Sequence, residues 1–272
     1  MQVAFVQMEP RFGYPEANLE KVLAMMESKP AELYVLPELF ASGYVFISPD
    51  EVAKAADKVG DGLVYRTIAD FAKARKCAVI YGFPEKASEG YFNSSLFVDE
   101  FGNHKLYRKI HLFFEEKQYF LPGNSPLGTI AYRDTKLGMM ICFDWIFPET
   151  ARCLALAGAD IICHPVNLVM SYCQDSMKTR SIENRIFTIT ANRIGEEKRG
   201  DKGFKFTGKS QITDCEGNVI YRADVDKEEI FTADINIEDA RNKRVNDLND
   251  LFGDRRVEYY NRLGETIDGI HQ

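Results

Sequence analysis

Lys136-Leu137-Gly138-Met139-Met140-Ile141-Cys142-Phe143-Asp144-Trp145 is an apolar run that stops at a cysteine, and Phe147-Pro148-Glu149-Thr150-Ala151-Arg152 opens a helix soon after it. Pro148 suits the first turn of that helix, where its missing N–H would have had no partner. A thiol delivered at a strand end, just before a helix, projects into a crevice where free backbone N–H groups can stabilise an oxyanion. Two more strand-like runs end on charged side chains. Leu33-Tyr34-Val35-Leu36-Pro37 leads into Glu38, and His104-Lys105-Leu106-Tyr107-Arg108 leads into Lys109. A carboxylate, an ammonium and a thiol, each at a strand exit, form a candidate catalytic set.

Working outward from this segment, strand-like and helix-like stretches alternate. Strands are expected over residues 3–8, 33–36, 77–82, 91–98, 104–108, 129–132, 136–141, 160–164 and 187–192, and helices over 17–27, 63–75, 148–157 and 177–184. Glu100-Phe101-Gly102-Asn103, Arg133-Asp134-Thr135 and Glu216-Gly217-Asn218 read as hairpin turns. Strands joined both by hairpins and by helices imply mixed sheets. The helices need sheet faces on which to bury their apolar stripes. The expected fold class is therefore α/β, an α-β-β-α sandwich of two mixed sheets flanked by helices. The 272 residues are expected to form a single domain, 1–272. From about Asp239 the chain turns polar, but Leu248, Leu251, Phe252, Val257, Tyr259 and Tyr260 stand out. Residues 239–272 read as a C-terminal arm packing on a second subunit or as a surface helix on its own domain.

Composition narrows the function classes. With 45% hydrophobic residues the chain can bury a full core, and no apolar run is long enough to span a bilayer. The N-terminal residues lack the basic start and small-residue cleavage site of a signal peptide, so they read as a first strand and the protein as cytoplasmic. Six cysteines without CxxC spacing, mostly inside apolar runs, read as reduced and largely buried thiols. A net charge of -7 argues against a general nucleic-acid binder. Four scattered histidines give no metal-ligand spacing, so no metal or cofactor is expected. His111 or His164 would be the base of a histidine-assisted thiol, but both read as structural.

Glu38 in Leu36-Pro37-Glu38, Lys109 in Tyr107-Arg108-Lys109-Ile110-His111-Leu112 and Cys142 in Ile141-Cys142-Phe143-Asp144-Trp145 resemble the nitrilase or carbon-nitrogen hydrolase superfamily. Phe147-Pro148-Glu149, His164-Pro165 and Arg180-Ser181-Ile182-Glu183-Asn184-Arg185 fit the same pattern, and the resemblance extends to about Ile237. It implies a nitrilase-like fold, with Cys142 as nucleophile, Glu38 as general base, and Lys109 with the Phe143 N–H holding the oxyanion. Glu115-Glu116-Lys117-Gln118-Tyr119-Phe120-Leu121-Pro122-Gly123 resembles the family segment carrying a second glutamate, which falls on Glu116 by register. Trp145 is a candidate pocket wall or a core residue; Asn167 contacts substrate or caps a loop.

The resemblance implies a hydrolase cleaving a non-peptide C–N bond through a thioester, acting without a cofactor and assembling as a homodimer or larger homo-oligomer. Phe143-Asp144 after the cysteine sides with amidases rather than with the Trp-Glu form common among nitrilases. A small amide is thus the expected substrate, with a nitrile or an N-carbamoyl compound as alternatives. Trp145 and Ile146 stand where D-amino-acid carbamoylases carry arginines, which favours a more apolar substrate. A catalytically silent binding protein or a redox-sensing Cys142 would be a different class of function.

Overall fold

The computed structural model describes residues 1–265. The first half of the chain forms β1 (Gln2–Gln7), α1 (Pro15–Ser28), β2 (Leu33–Val35), α2 (Pro49–Ala55), α3 (Leu63–Arg75), β3 (Ala78–Lys86), β4 (Tyr91–Val98) and β5 (His104–Arg108). The second half opens with β6 (Thr129–Tyr132), β7 (Thr135–Met139), α4 (Pro148–Leu156), β8 (Ile161–Pro165), α5 (Cys173–Asn184) and β9 (Phe187–Ala191). It closes with β10 (Glu196–Arg199), β11 (Lys202–Lys205), β12 (Gln211–Thr213), β13 (Val219–Arg222), β14 (Glu229–Asp234) and α6 (Glu238–Arg241).

Two six-stranded sheets result, ordered β14-β1-β2-β3-β4-β5 and β13-β12-β9-β8-β7-β6. Each has three parallel strands at its centre, β1-β2-β3 and β7-β8-β9, flanked by antiparallel neighbours. The parallel strands are buried on both faces, as helix-covered strands must be. On β1, Val3 and Phe5 point into the space between the sheets, where they join Val35, Ile80, Leu137, Ile161 and Ile189. Ala4 and Val6 point the other way, onto Leu19, Val22 and Met26 of α1 and Ile68 and Phe71 of α3. Ala151 and Leu154 of α4 and Met177 of α5 extend the second sheet's apolar cluster. The order of layers is helix, sheet, sheet, helix.

Three elements escape the sequence reading. The α2 helix is short and capped by Ser48 Oγ, which accepts from the Glu51 N–H at 3.3 Å. The β10–β11 ribbon belongs to neither sheet. Strand β14 is mostly half-buried, pairs along the whole of β1 and forms an edge of the first sheet. Helix α5 begins at Cys173 rather than 177. Beyond α6 the described chain is irregular apart from two short 3-10 turns, Val257–Tyr259 and Asn261–Gly264. Phe252 packs on the core beneath Lys243, while Leu248, Tyr259 and Leu263 are exposed. The last part of the expected arm, 266–272, lies outside the described residues.

Candidate active site

The exits of β2, β5 and β7 converge. Past β2 the chain stays on the sheet, with the Leu36 N–H donating to Ile80 O at 2.8 Å and the Gly82 N–H to Pro37 O at 3.3 Å. Gly82 is required there, because a Cβ would lie 2.5 Å from Glu38 Cα. This close approach leaves Glu38 fully buried. Lys109 follows β5 directly. Its N–H donates to Asn93 O at 2.9 Å, and the Gly123 N–H donates to its carbonyl at 2.8 Å.

The Lys109 ammonium, also fully buried, donates to Glu38 Oε1 and Glu116 Oε1, each at 2.8 Å. Burial alone would lower its pKa, but the Glu116 and Glu38 carboxylates outweigh this and raise it. Burial raises the pKa of Glu38, with Lys109 opposing and Glu116 adding to the rise. Asn93 Nδ2 donates to Glu38 Oε1 at 2.7 Å, so one asparagine holds both the lysine backbone and the glutamate side chain.

Glu116 sits not on an extended segment but on a 3-10 turn, Phe114–Gln118. Successive side chains on such a turn diverge by about 120°. Glu116 therefore points inward, taking the Tyr44 hydroxyl at 2.8 Å on Oε1 and the Phe113 N–H at 3.1 Å on Oε2. Glu115 points outward to Lys202, 2.9 Å away.

Cys142 opens a second 3-10 turn, Cys142–Ile146, three residues beyond the end of β7. Its φ is +39°, a left-handed conformation costly for a residue with a Cβ. Asp144 and His164 hold it. The Asp144 carboxylate, fully buried, accepts from the Ile141 N–H (2.9 Å) and the Tyr107 hydroxyl (2.7 Å) on Oδ2. Its Oδ1 lies 2.8 Å from His111 Nδ1. The His164 Nε2–H donates to the Cys142 carbonyl at 3.0 Å, and burial lowers that imidazole's pKa to about 4, so it stays neutral. The Cys142 thiol is 5% exposed and points to Asn167 O at 3.7 Å. Burial, then Glu38, push its pKa well above the usual thiol value, with Lys109 opposing. Phe143, at the start of the turn, has an N–H that lies ahead of the first intrahelical bond.

Trp145 is buried in the cluster that contains Cys142 and meets Tyr172 edge-on at 5.5 Å. Asn167 donates from Nδ2 to Glu38 O at 2.9 Å, tying a neighbour of the Cys142 thiol to the glutamate segment. His111 stacks on Phe147 and bonds to Asp144, not to the thiol. Among the described residues, Glu38 Oε2, Asn93 Oδ1 and Asn167 Oδ1 are buried acceptors without a donor. A recess of about 20 Å³ borders Glu116 between Tyr44, Phe114, Tyr119 and Phe204, whereas a cleft of about 650 Å³ around Arg185, Asp214 and Asp239 touches none of these groups.

Sequence reasoning missed Tyr44, Asn93 and the tethering role of Asp144. For Asn93 the signal was a polar residue inside the strand Tyr91-Phe92-Asn93-Ser94-Ser95-Leu96, since buried polar groups need a partner. The reach of Asp144 to His111 and Tyr107, and of Tyr44 to Glu116, left no local signal, because those partners lie 33 or more residues away.

The family model for carbon-nitrogen hydrolases matches residues 2–245. A nitrilase from Pyrococcus abyssi is 43% identical over 265 residues, covering 96% of this chain and 100% of the relative. An (R)-stereoselective amidase from a Pseudomonas species is 31% identical over 232 residues, covering 84% of this chain and 82% of the relative. The solved structure of a carbon-nitrogen hydrolase from Helicobacter pylori is 25% identical, with a TM-score of 0.85, and the match covers 97% of this chain and 98% of the other.

Proposed function

The chain belongs to the carbon-nitrogen hydrolase family, and we propose that it hydrolyses a small, largely apolar amide through a thioester on Cys142. The observation that carries this reading is the buried Lys109 ammonium, held between Glu38 and Glu116 at 2.8 Å from each, with its charge acting on the Cys142 thiol. A thiol whose pKa is raised is protonated at neutral pH and needs a base. Glu38, whose own pKa is raised, is matched to accept that proton rather than merely carry a charge.

As Glu38 takes the proton, sulfur attacks the carbonyl carbon, and the oxygen gathers charge beside Lys109 and the Phe143 N–H. Glu38 returns the proton to the departing amine. Water then attacks the thioester, losing its proton to Glu38, and expulsion of the protonated thiol releases the acid. Glu116 keeps the lysine in place and balances its charge.

Two features support an amide. Phe143-Asp144 follows the nucleophile, and an (R)-stereoselective amidase from a Pseudomonas species is 31% identical to this chain. A nitrile remains a second reading, supported by the relative named as a nitrilase at 43% identity.

Ammonia release from a panel of amides, carbamoyl compounds and nitriles, with intact-mass detection of an acyl adduct, tests both readings. We expect an adduct on Cys142, turnover of amides, and loss of turnover by several orders of magnitude in Cys142→Ala. Nitrile consumption without amide turnover would overturn the substrate assignment alone. An active Cys142→Ala enzyme would overturn the mechanism. Binding of panel compounds without turnover would leave a binding protein.

A further inference from the structure

Glu197 lies on the β10–β11 ribbon outside both sheets, yet it is only 6% exposed. Its Oε2 accepts from Arg193 Nη1 at 2.7 Å. Its Oε1 accepts two backbone N–H groups, those of Tyr44 at 3.0 Å and of Val45. Arg193 is 1% exposed, with its guanidinium 4.0 Å over the Phe206 ring. Removing both charges from water is costly, and apolar side chains of similar volume commonly fill such space at least as stably. The segment the pair grips offers a reason for keeping it.

That segment starts from Glu38 and folds back on itself, with the Ser42 and Gly43 N–H groups donating to Leu39 O at 3.2 and 3.1 Å. At its far end the Tyr44 ring stands edge-on to Phe204 (6.0 Å) and Phe206 (5.9 Å). The Tyr44 hydroxyl donates to Glu116 Oε1, the oxygen that also receives Lys109. A continuous path thus runs from Arg193 through Glu197, the Tyr44 backbone and the Tyr44 hydroxyl to Glu116 and Lys109.

We propose that Glu197, backed by Arg193, is a positioning residue: it fixes the backbone at 44–45 so that the Tyr44 hydroxyl holds Glu116, and through it Lys109, in the reactive geometry. This rests on the roles proposed above for Lys109 and Glu116. Tyr44 acts on the reaction through Glu116, and Glu197 acts through Tyr44.

The test is a double-mutant cycle on the best amide substrate. Tyr44→Phe keeps the ring against its aromatic neighbours and removes one hydrogen bond to a charged group. It should lower kcat by about 10- to 100-fold with KM within about threefold. Glu197→Leu removes the acceptor of both backbone N–H groups and should show the same split. The Tyr44→Phe/Glu197→Leu enzyme should fall no more than about threefold below the weaker single variant, because the two act in series. If Glu197→Leu fails to fold, Arg193→Met/Glu197→Leu takes its place in the cycle and leaves no unpaired buried charge.

Alkylation of Cys142 by iodoacetamide, followed by peptide mass at that residue, is measured on the same variants. Failure of the amide reading therefore leaves the coupling readable. Alkylation rates that fall together and less than multiplicatively support the proposal. Wild-type kcat and alkylation in Tyr44→Phe, or single effects that multiply in the double variant, overturn it.

Discussion

Lys109 stands between two carboxylates and a thiol, so its charge serves two purposes at once. It opposes the rise of the Cys142 pKa that burial and Glu38 produce, and in the proposed reaction it holds the oxyanion. Lys109→Ala should lower kcat by at least about a hundredfold, the scale of a lost oxyanion donor. The alkylation profile of Cys142 should move to higher pH, since the group that lowers the thiol's pKa is gone; an unmoved profile would mark the lysine as a bystander. The two adjacent glutamates should separate cleanly. Glu116→Gln loses a carboxylate that balances Lys109 and should cripple turnover. Glu115→Gln loses only a partly exposed pair with Lys202 and should behave like wild type. Circular dichroism on both would show whether the fold is retained, and the reverse pattern of activity would shift the assignment by one residue.

At the scale of elements, the site depends on where strands stop and what they stop against. β7 ends at Met139, and the chain must then adopt a left-handed φ at Cys142 within a turn tied by Asp144. That aspartate joins the Cys142 turn to Tyr107 on β5 and to His111 beyond it, so the strand exits carrying Cys142 and Lys109 are cross-linked by a single side chain. β3 does the same for Glu38 by carrying no side chain at Gly82. Gly82→Ala would place a Cβ 2.5 Å from Glu38 Cα, against backbone that cannot rotate away. The glutamate segment must then lift from the sheet. A displacement on the order of 1 Å at a reacting group commonly costs about a hundredfold in rate. We expect kcat to fall by at least about tenfold and Tm to drop by a few degrees. An enzyme with wild-type kcat would show that the segment tolerates the shift.

For the whole molecule, the two sheets enclose polar groups that must remain uncharged. His164 is the clearest case: it is fully buried on β8 between the sheet core and the Cys142 carbonyl, with a pKa lowered from 6.5 to about 4. An imidazole whose folded pKa is depressed binds fewer protons folded than unfolded between those two values. Stability therefore rises with pH across that window and is lost as pH falls from about 6.5 toward 4. The full contribution is on the order of 3 kcal/mol. Denaturant unfolding at stepped pH should show this slope, and His164→Gln should flatten it between pH 6.5 and 4. An unchanged slope would place the acid sensitivity on other groups.

The sequence alone determined the layer architecture, because apolar runs of strand length interleaved with amphipathic helices leave few ways to bury both. It also marked Cys142, Lys109 and Glu38, since each follows an apolar run whose direction of burial is local information. Glu116 was reached through the register of the family resemblance, and the structure sets it beside Lys109 on a 3-10 turn. The grip of Asn93 on Glu38, the tether from Asp144 to Tyr107 and the reach of Tyr44 to Glu116 span 37 to 72 positions. Such contacts are fixed by how the sheets stack and where the ribbon folds over them. Local pattern carries the period of a strand or helix, but no distance between elements. For that reason the candidate residues could be named from the chain, while the contacts that support them could be read only from the fold.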